Sequence, residues 1–218
     1  MKLALTEVFI VVLVLLSPYS AAEDKVLWRD TLTSEKQAEF EGEIQVTLQW
    51  IVNAAHRVHF SPETYQMPEK LPDIYVVSRS YILKNKEEIC HRLTNEYDIN
   101  QCAEKILSWI DDERRLYVLR KEDVVQNTDL LISGIPTDLW IRIARTHELA
   151  HFIQFSSRKE LKATTLPCET LSQFETEAFK LEHWWLHSLQ SIDAERVNAY
   201  QRGKVPQCSC TNNDLTCW

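Results

Sequence analysis

Two histidines stand four residues apart, with a glutamate directly after the first, in the stretch "IRIARTHELAHFIQF" that runs from Ile141 to Phe155. On an α-helix a four-residue step turns about 40° and rises one turn, so the imidazoles of His147 and His151 reach a common point in front of one face. Zinc takes imidazole nitrogen at about 2.0 Å, and this spacing suits two adjacent corners of its tetrahedron. Glu148 is turned about 100° from His147, which sets its carboxylate beside such a metal rather than among its ligands. That is the station of a general base for a metal-activated water. Random order in a chain of this composition yields roughly 0.02 HExxH matches, so the accidental reading, two surface histidines and a solvated glutamate, is the less favoured one.

A zinc site of this kind needs a third ligand. The continuation "HELAHFIQFSS" has Gln154 and Ser157 where the extended metzincin pattern requires glycine and histidine, which excludes that subclass. A carboxylate from a later helix is the remaining option. "FETEAFKLEHWWL" offers Glu175 and Glu177, about 200° apart and facing opposite ways, and spacing leaves both open. An oxyanion donor is also required. His183, His187 and Tyr200 have the chemistry, although a packed or solvated side chain is the simpler reading of each.

HELAH, followed 24 residues after its last histidine by the first glutamate of "ETEAF", resembles the gluzincin group of zinc metallopeptidases. In that group the third ligand opens an E-x-x-A or E-x-x-x-D pattern on a second helix. The resemblance implies Glu175 as the ligand, with Ala178 three residues after it. Phe179 departs from the pattern, because many such enzymes have there an aspartate that orients a ligand histidine. The orienting group is thereby left unnamed. The set "LYVLR", "HELAHFIQ", "LPC" and "FETEAF" is also similar to a largely uncharacterised family of secreted bacterial proteins grouped as metallopeptidases, over roughly Leu116 to Leu186. What the resemblance implies is a zincin fold with the HExxH active-site helix packed under a small sheet, a Zn2+ cofactor held by His147, His151 and Glu175, Glu148 as base, and hydrolysis of a peptide or protein substrate.

The surrounding elements must position these residues. Between Ser34 and His59, Ile44, Leu48, Ile51, Val52 and Ala55 recur at helical spacing and predict an amphipathic helix with one buried stripe. "DIYVVS", from Asp73 to Ser78, reads as a strand. "KNKEEICHRL" and "INQCAEKILSWI" read as helices, and "RRLYVLR", Arg114 to Arg120, as a second strand. That strand serves either as an edge along which a peptide lies or as part of the core. Gly134 and Pro136 mark a turn, after which Thr137 or Asp138 can cap a helix running to about Phe155. A last helix spans about Glu169 to Leu189, with Phe174, Phe179, Trp184, Trp185 and Leu186 on its core side. The sum is an α+β domain, a small sheet packed with several helices. His56 and His59 read as solvated polar residues.

Only three glycines occur in the chain, which disfavours a phosphate-cradling loop. The first 22 residues predict a secretory signal peptide, cleaved after Ala22, with an apolar run of nine residues from Val8 to Leu16. A membrane span needs about 20, so no span is expected after cleavage. Residues 23–218 then form a single domain with a cysteine-rich tail, secreted or periplasmic. The net charge of -8 argues against nucleic acid as a partner. Six cysteines in an exported chain predict disulfides, and Cys90 and Cys102 can close a short loop between two helices. Cys168, Cys208, Cys210 and Cys217 complete the set, the last three in a tail that gets its order from crosslinks. These readings together predict a secreted zinc metallopeptidase. The alternative is a non-catalytic, disulfide-crosslinked binding protein on a zincin scaffold, prompted by the tail and by Phe179.

Overall fold

The computed structural model describes residues 25–28, 33–90, 99–125, 136–158 and 166–188. The expected signal peptide, the Gly134 turn, Tyr200 and the cysteine tail lie outside the described residues. Strand β1 (Lys25–Leu27) precedes the long helix α1 (Ser34–Arg57), whose buried residues include Ile44, Leu48, Ile51, Val52 and Ala55, the predicted stripe. Strand β2 (Ile74–Val77) follows, and then helix α2 (Arg79–Lys84), capped by Ser78, whose side chain accepts from the Tyr81 amide at 3.0 Å. Helices α3 (Lys86–Cys90) and α4 (Ile99–Lys105) are joined by a Cys90–Cys102 disulfide. Strands β3 (Ser108–Ile110) and β4 (Leu116–Leu119) lead through helix α5 (Lys121–Val125) to the two long helices α6 (Thr137–Ser156) and α7 (Cys168–Ser188). Among the described residues, no helix is long and apolar enough to cross a membrane.

The four strands form one mixed sheet in the order β1-β2-β4-β3. β2 and β4 run parallel, in register Ile74↔Leu116 to Val77↔Leu119, and each carries an antiparallel partner on its outer side. All four residues of β4 are buried. Leu116 and Val118 pack with Leu48 and Ile51 of α1, Leu149 and Ile153 of α6, and Leu181 of α7. Tyr117 and Leu119 belong to a second cluster with Ile82, Ile89, Cys90 and Ala103. A strand covered on both faces reads as a continuous apolar run, and "LYVL" is one. β4 is therefore a core strand, and β3 takes the end of the sheet order instead.

Two expectations are corrected. "INQCAEKILSWI" is not one helix, because α4 stops at Lys105 and Ser108–Ile110 is a strand paired with β4. Trp109 lies against Tyr117 with ring planes 2° apart and centroids at 4.5 Å, a cross-strand contact that overrides the local helical preference. Neither Thr137 nor Asp138 caps α6. The cap position is Pro136, with φ -57° and ψ 137° and without a side-chain bond, while the exposed Asp138 pairs with Lys121 at 2.7 Å. On α7, Phe174, Trp185 and Leu186 are buried as expected, whereas Phe179 and Trp184 are only partly so.

Leu149 is fully buried where α6 crosses the sheet. Leu149→Ala is expected to cost about 2–5 kcal/mol through the lost contacts and the cavity left behind. Urea unfolding checks this, with the midpoint lowered and the slope unchanged.

Candidate metal centre

α6 and α7 pack against one another, and the centre lies between them. From α6 come His147 and His151, one turn apart; from α7 comes Glu175. The two Nε2 atoms are 3.1 Å apart, His147 Nε2 is 3.2 Å from Glu175 Oε2, and His151 Nε2 is 3.2 Å from Glu175 Oε1. The two nitrogens face different oxygens of the Glu175 carboxylate, and one donor atom from each of the three side chains lies within 4.8 Å of the others. Corners of a tetrahedron with bonds of about 2.0–2.1 Å are separated by about 3.3–3.4 Å, so contacts of 3.1–3.2 Å among these side chains suit a group that shares one small cation. Among the described residues this is the one group of three or more such side chains that can hold a metal ion. The Glu175 side chain keeps 19 % of its surface exposed, so the carboxylate is only partly withdrawn from solvent.

The far side of each imidazole decides what the near side offers. His147 Nδ1 lies 3.1 Å from Glu182 Oε2, and His151 Nδ1 lies 2.8 Å from Gln154 Oε1. Both partners are acceptors, so each Nδ1 carries the hydrogen and donates it. In the neutral ring each Nε2 is then left with its lone pair, and both Nε2 atoms face the Glu175 carboxylate. Electron-rich atoms at this separation repel unless a positive charge sits among them. The donor set of two imidazoles and one carboxylate is one that zinc accepts.

Electrostatics follow the same logic. Burial drives the His147 pKa down, but hydrogen bonds to Glu175 and Glu182 more than reverse this and hold it well above the ordinary histidine value. His151 is likewise driven down by burial and carried above its usual value by the charge and hydrogen bond of Glu175. Burial pushes Glu175 up, and His151 and His147 overcome it, leaving the carboxyl far below the usual carboxylate range. The pocket thus demands positive charge at the Nε2 atoms, whether brought by protons or by a metal. Glu148 stands beside this group, close enough to feel the charges of His147, His151 and Glu175. Burial raises its pKa against the pull of His147 and His151, and Ser108 Oγ donates to its Oε1 at 3.1 Å.

The open choice between the two glutamates closes on Glu175. Glu177 faces away from the centre and accepts from Tyr65 Oη at 3.0 Å and from Gln173 Nε2 at 2.9 Å. His183 and His187 pair edge-on with each other at 4.3 Å and are not part of the centre. His56 is exposed, but its Nε2 lies 2.8 Å from the Tyr65 carbonyl oxygen, so it is tied to the chain as well as solvated.

Phe179 packs its ring on His147 at 4.5 Å, and the orienting carboxylate is supplied one turn further along α7 by Glu182. Glu182 stands seven residues after Glu175; two helical turns bring it back to within about 20° of the same face. That spacing was the available signal. Gln154, Ser108 and Tyr65 gave no sequence signal for their roles, since each acts through a contact that tertiary packing makes.

Compared with known proteins, the chain matches no family model, no curated sequence and no solved structure.

Two outcomes are expected of the centre. Glu182→Met removes the acceptor behind His147, and zinc affinity measured by chelator competition should fall about 10–100-fold. Protons and metal compete for Nε2 atoms whose pKa values are raised, so affinity should be lost as pH falls. Going from about pH 8 to about pH 6 should weaken zinc binding at least about tenfold. A titration at the two pH values reads the sign directly.

Proposed function

We propose that this protein is a secreted zinc-dependent metallopeptidase of gluzincin type on a zincin-like scaffold, with His147, His151 and Glu175 as metal ligands and Glu148 as general base. The observation that carries this reading is the convergence of His147, His151 and Glu175, each imidazole held from behind at Nδ1 so that its Nε2 points inward. The stretch 1–22, with its short apolar run, supports export.

Zinc at this position would polarise a substrate carbonyl and bring the pKa of a bound water to about 7. Glu148 then takes a proton from the attacking water as its oxygen bonds to the peptide carbonyl carbon. The same carboxyl returns that proton to the departing amine as the carbon–nitrogen bond breaks. Its burial favours the protonated form, which suits a group that must hold a proton briefly at neutral pH. Ser108 steadies one carboxylate oxygen. Because Ser108 belongs to β3, at the end of the sheet order, a peptide adding to that strand through main-chain hydrogen bonds would have its backbone next to the base.

Glu148→Gln separates chemistry from binding. The variant should retain about one zinc per chain while hydrolysis of a mixed peptide library falls by about 10²–10⁴-fold or more. Chelation should abolish wild-type hydrolysis, and zinc should restore it. Wild-type protein that binds zinc yet cleaves nothing in the library would favour the non-catalytic scaffold, and purified protein with no affinity for zinc would remove the proposal altogether.

A further inference from the structure

His151 is backed by a line of buried side chains that starts far away in sequence. Its Nδ1 donates to Gln154 Oε1 at 2.8 Å. The Gln154 amide nitrogen donates to the Tyr65 hydroxyl at 2.6 Å and to the Phe174 carbonyl at 3.1 Å. The Tyr65 hydroxyl donates to Glu177 Oε2 at 3.0 Å, and Gln173 donates to the other oxygen of that carboxylate at 2.9 Å. Tyr65 and Gln154 are fully buried and Glu177 is 8 % exposed, so bulk water offers them no alternative partners.

The polarity of this line is dictated from its far end. Glu177 receives donors on both oxygens, as a carboxylate does, so the single hydroxyl proton of Tyr65 is committed to it. The Tyr65 oxygen can then only accept, which turns the NH₂ of Gln154 toward it and the Gln154 carbonyl toward His151. The Phe174 carbonyl, a pure acceptor, enforces the same amide orientation. A carbonyl cannot donate, so Nδ1 of His151 must carry a hydrogen, which in the neutral ring leaves the lone pair on Nε2.

We infer that Tyr65 and Glu177 are positioning residues of the metal centre, which act through Gln154 to keep His151 in the tautomer that presents Nε2 to a cation. The role rests on the zinc centre proposed above and extends it to a residue 86 positions before His151, on the segment between α1 and β2. Affinity for the metal is thereby tied to one hydroxyl on that segment.

The test uses the full mature chain with zinc alone as the probe. Tyr65→Phe keeps the ring and removes the hydroxyl, and Glu177→Met removes the terminal acceptor. Each should weaken zinc binding about tenfold or more in chelator competition. His56→Ala releases the same segment at the Tyr65 carbonyl without touching the relay, and should bind zinc within about twofold of wild type. In the zinc-loaded wild type, ¹⁵N NMR of the imidazoles should find the proton of His151 on Nδ1 and the metal at Nε2. Wild-type affinity in Tyr65→Phe would overturn the inference, and so would an equal loss in His56→Ala, which marks a merely structural role. Should Tyr65→Phe fail to fold, the ring-nitrogen assignment decides, since coordination through Nδ1 is incompatible with the relay. A wild type that binds no zinc sinks the centre itself; a wild type that binds it while all variants match sinks only the relay.

Discussion

Four carboxylates crowd the junction of α6 and α7, and the constraint on everything around them is that their charge be answered. Glu148, Glu177 and Glu182 are buried, and Glu175 is mostly so. An isolated buried carboxylate is strongly unfavourable, and one that is paired or hydrogen-bonded is not. Here each has a specific answer. Ser108 donates to Glu148, Tyr65 and Gln173 to Glu177, His147 stands between Glu182 and Glu175, and His151 between Gln154 and Glu175. The imidazoles bring a neutral N–H to the outer partner and a lone pair to the inner one. What stays unanswered is the point where both lone pairs and Glu175 converge, and a cation is the species that satisfies it.

The two helices can hold this arrangement because their other faces are anchored in the core. Leu149, Ala150 and Ile153 of α6 and Ala178 and Leu181 of α7 share one cluster with β4 and α1. Ala178 is fully buried, and a larger side chain there would push apart the helices that bring Glu175 to the histidines. Arg145, one turn before Glu148 on α6, is also buried and reaches Glu43 of α1, which joins α6 to the long first helix through an ion pair. Precise donor placement thus rests on packing at several points rather than on the helix that carries the motif alone.

Amphipathic periodicity reported α1 correctly down to its buried residues, because that signal is local and survives without knowledge of the partner surface. β4 was legible as a strand for a similar reason, its apolar run being too short for a helix and rich in aromatic and branched side chains. β3 was not legible. "SWI" continues a helical-looking segment and becomes a strand only because β4 offers hydrogen bonds and Tyr117 offers a ring to Trp109. The second partner of His147 was half legible, since the seven-residue step from Glu175 to Glu182 lies in the sequence, while the knowledge that Phe179 would pack on the ring does not.

The sequence by itself determined that His147 and His151 share one helix face with Glu148 beside them: helix geometry forces residues four apart onto one side, and a short-range rule needs no tertiary information. It also determined that Glu175 and Glu177 oppose each other, so that only one could serve. Which of the two turns inward, which groups stand behind the imidazoles, and that residue 65 reaches the site at all were decided by the tertiary structure. Those outcomes depend on hydrogen bonds between residues as many as 112 positions apart, and the direction of a buried side chain is set by what the folded chain places opposite it.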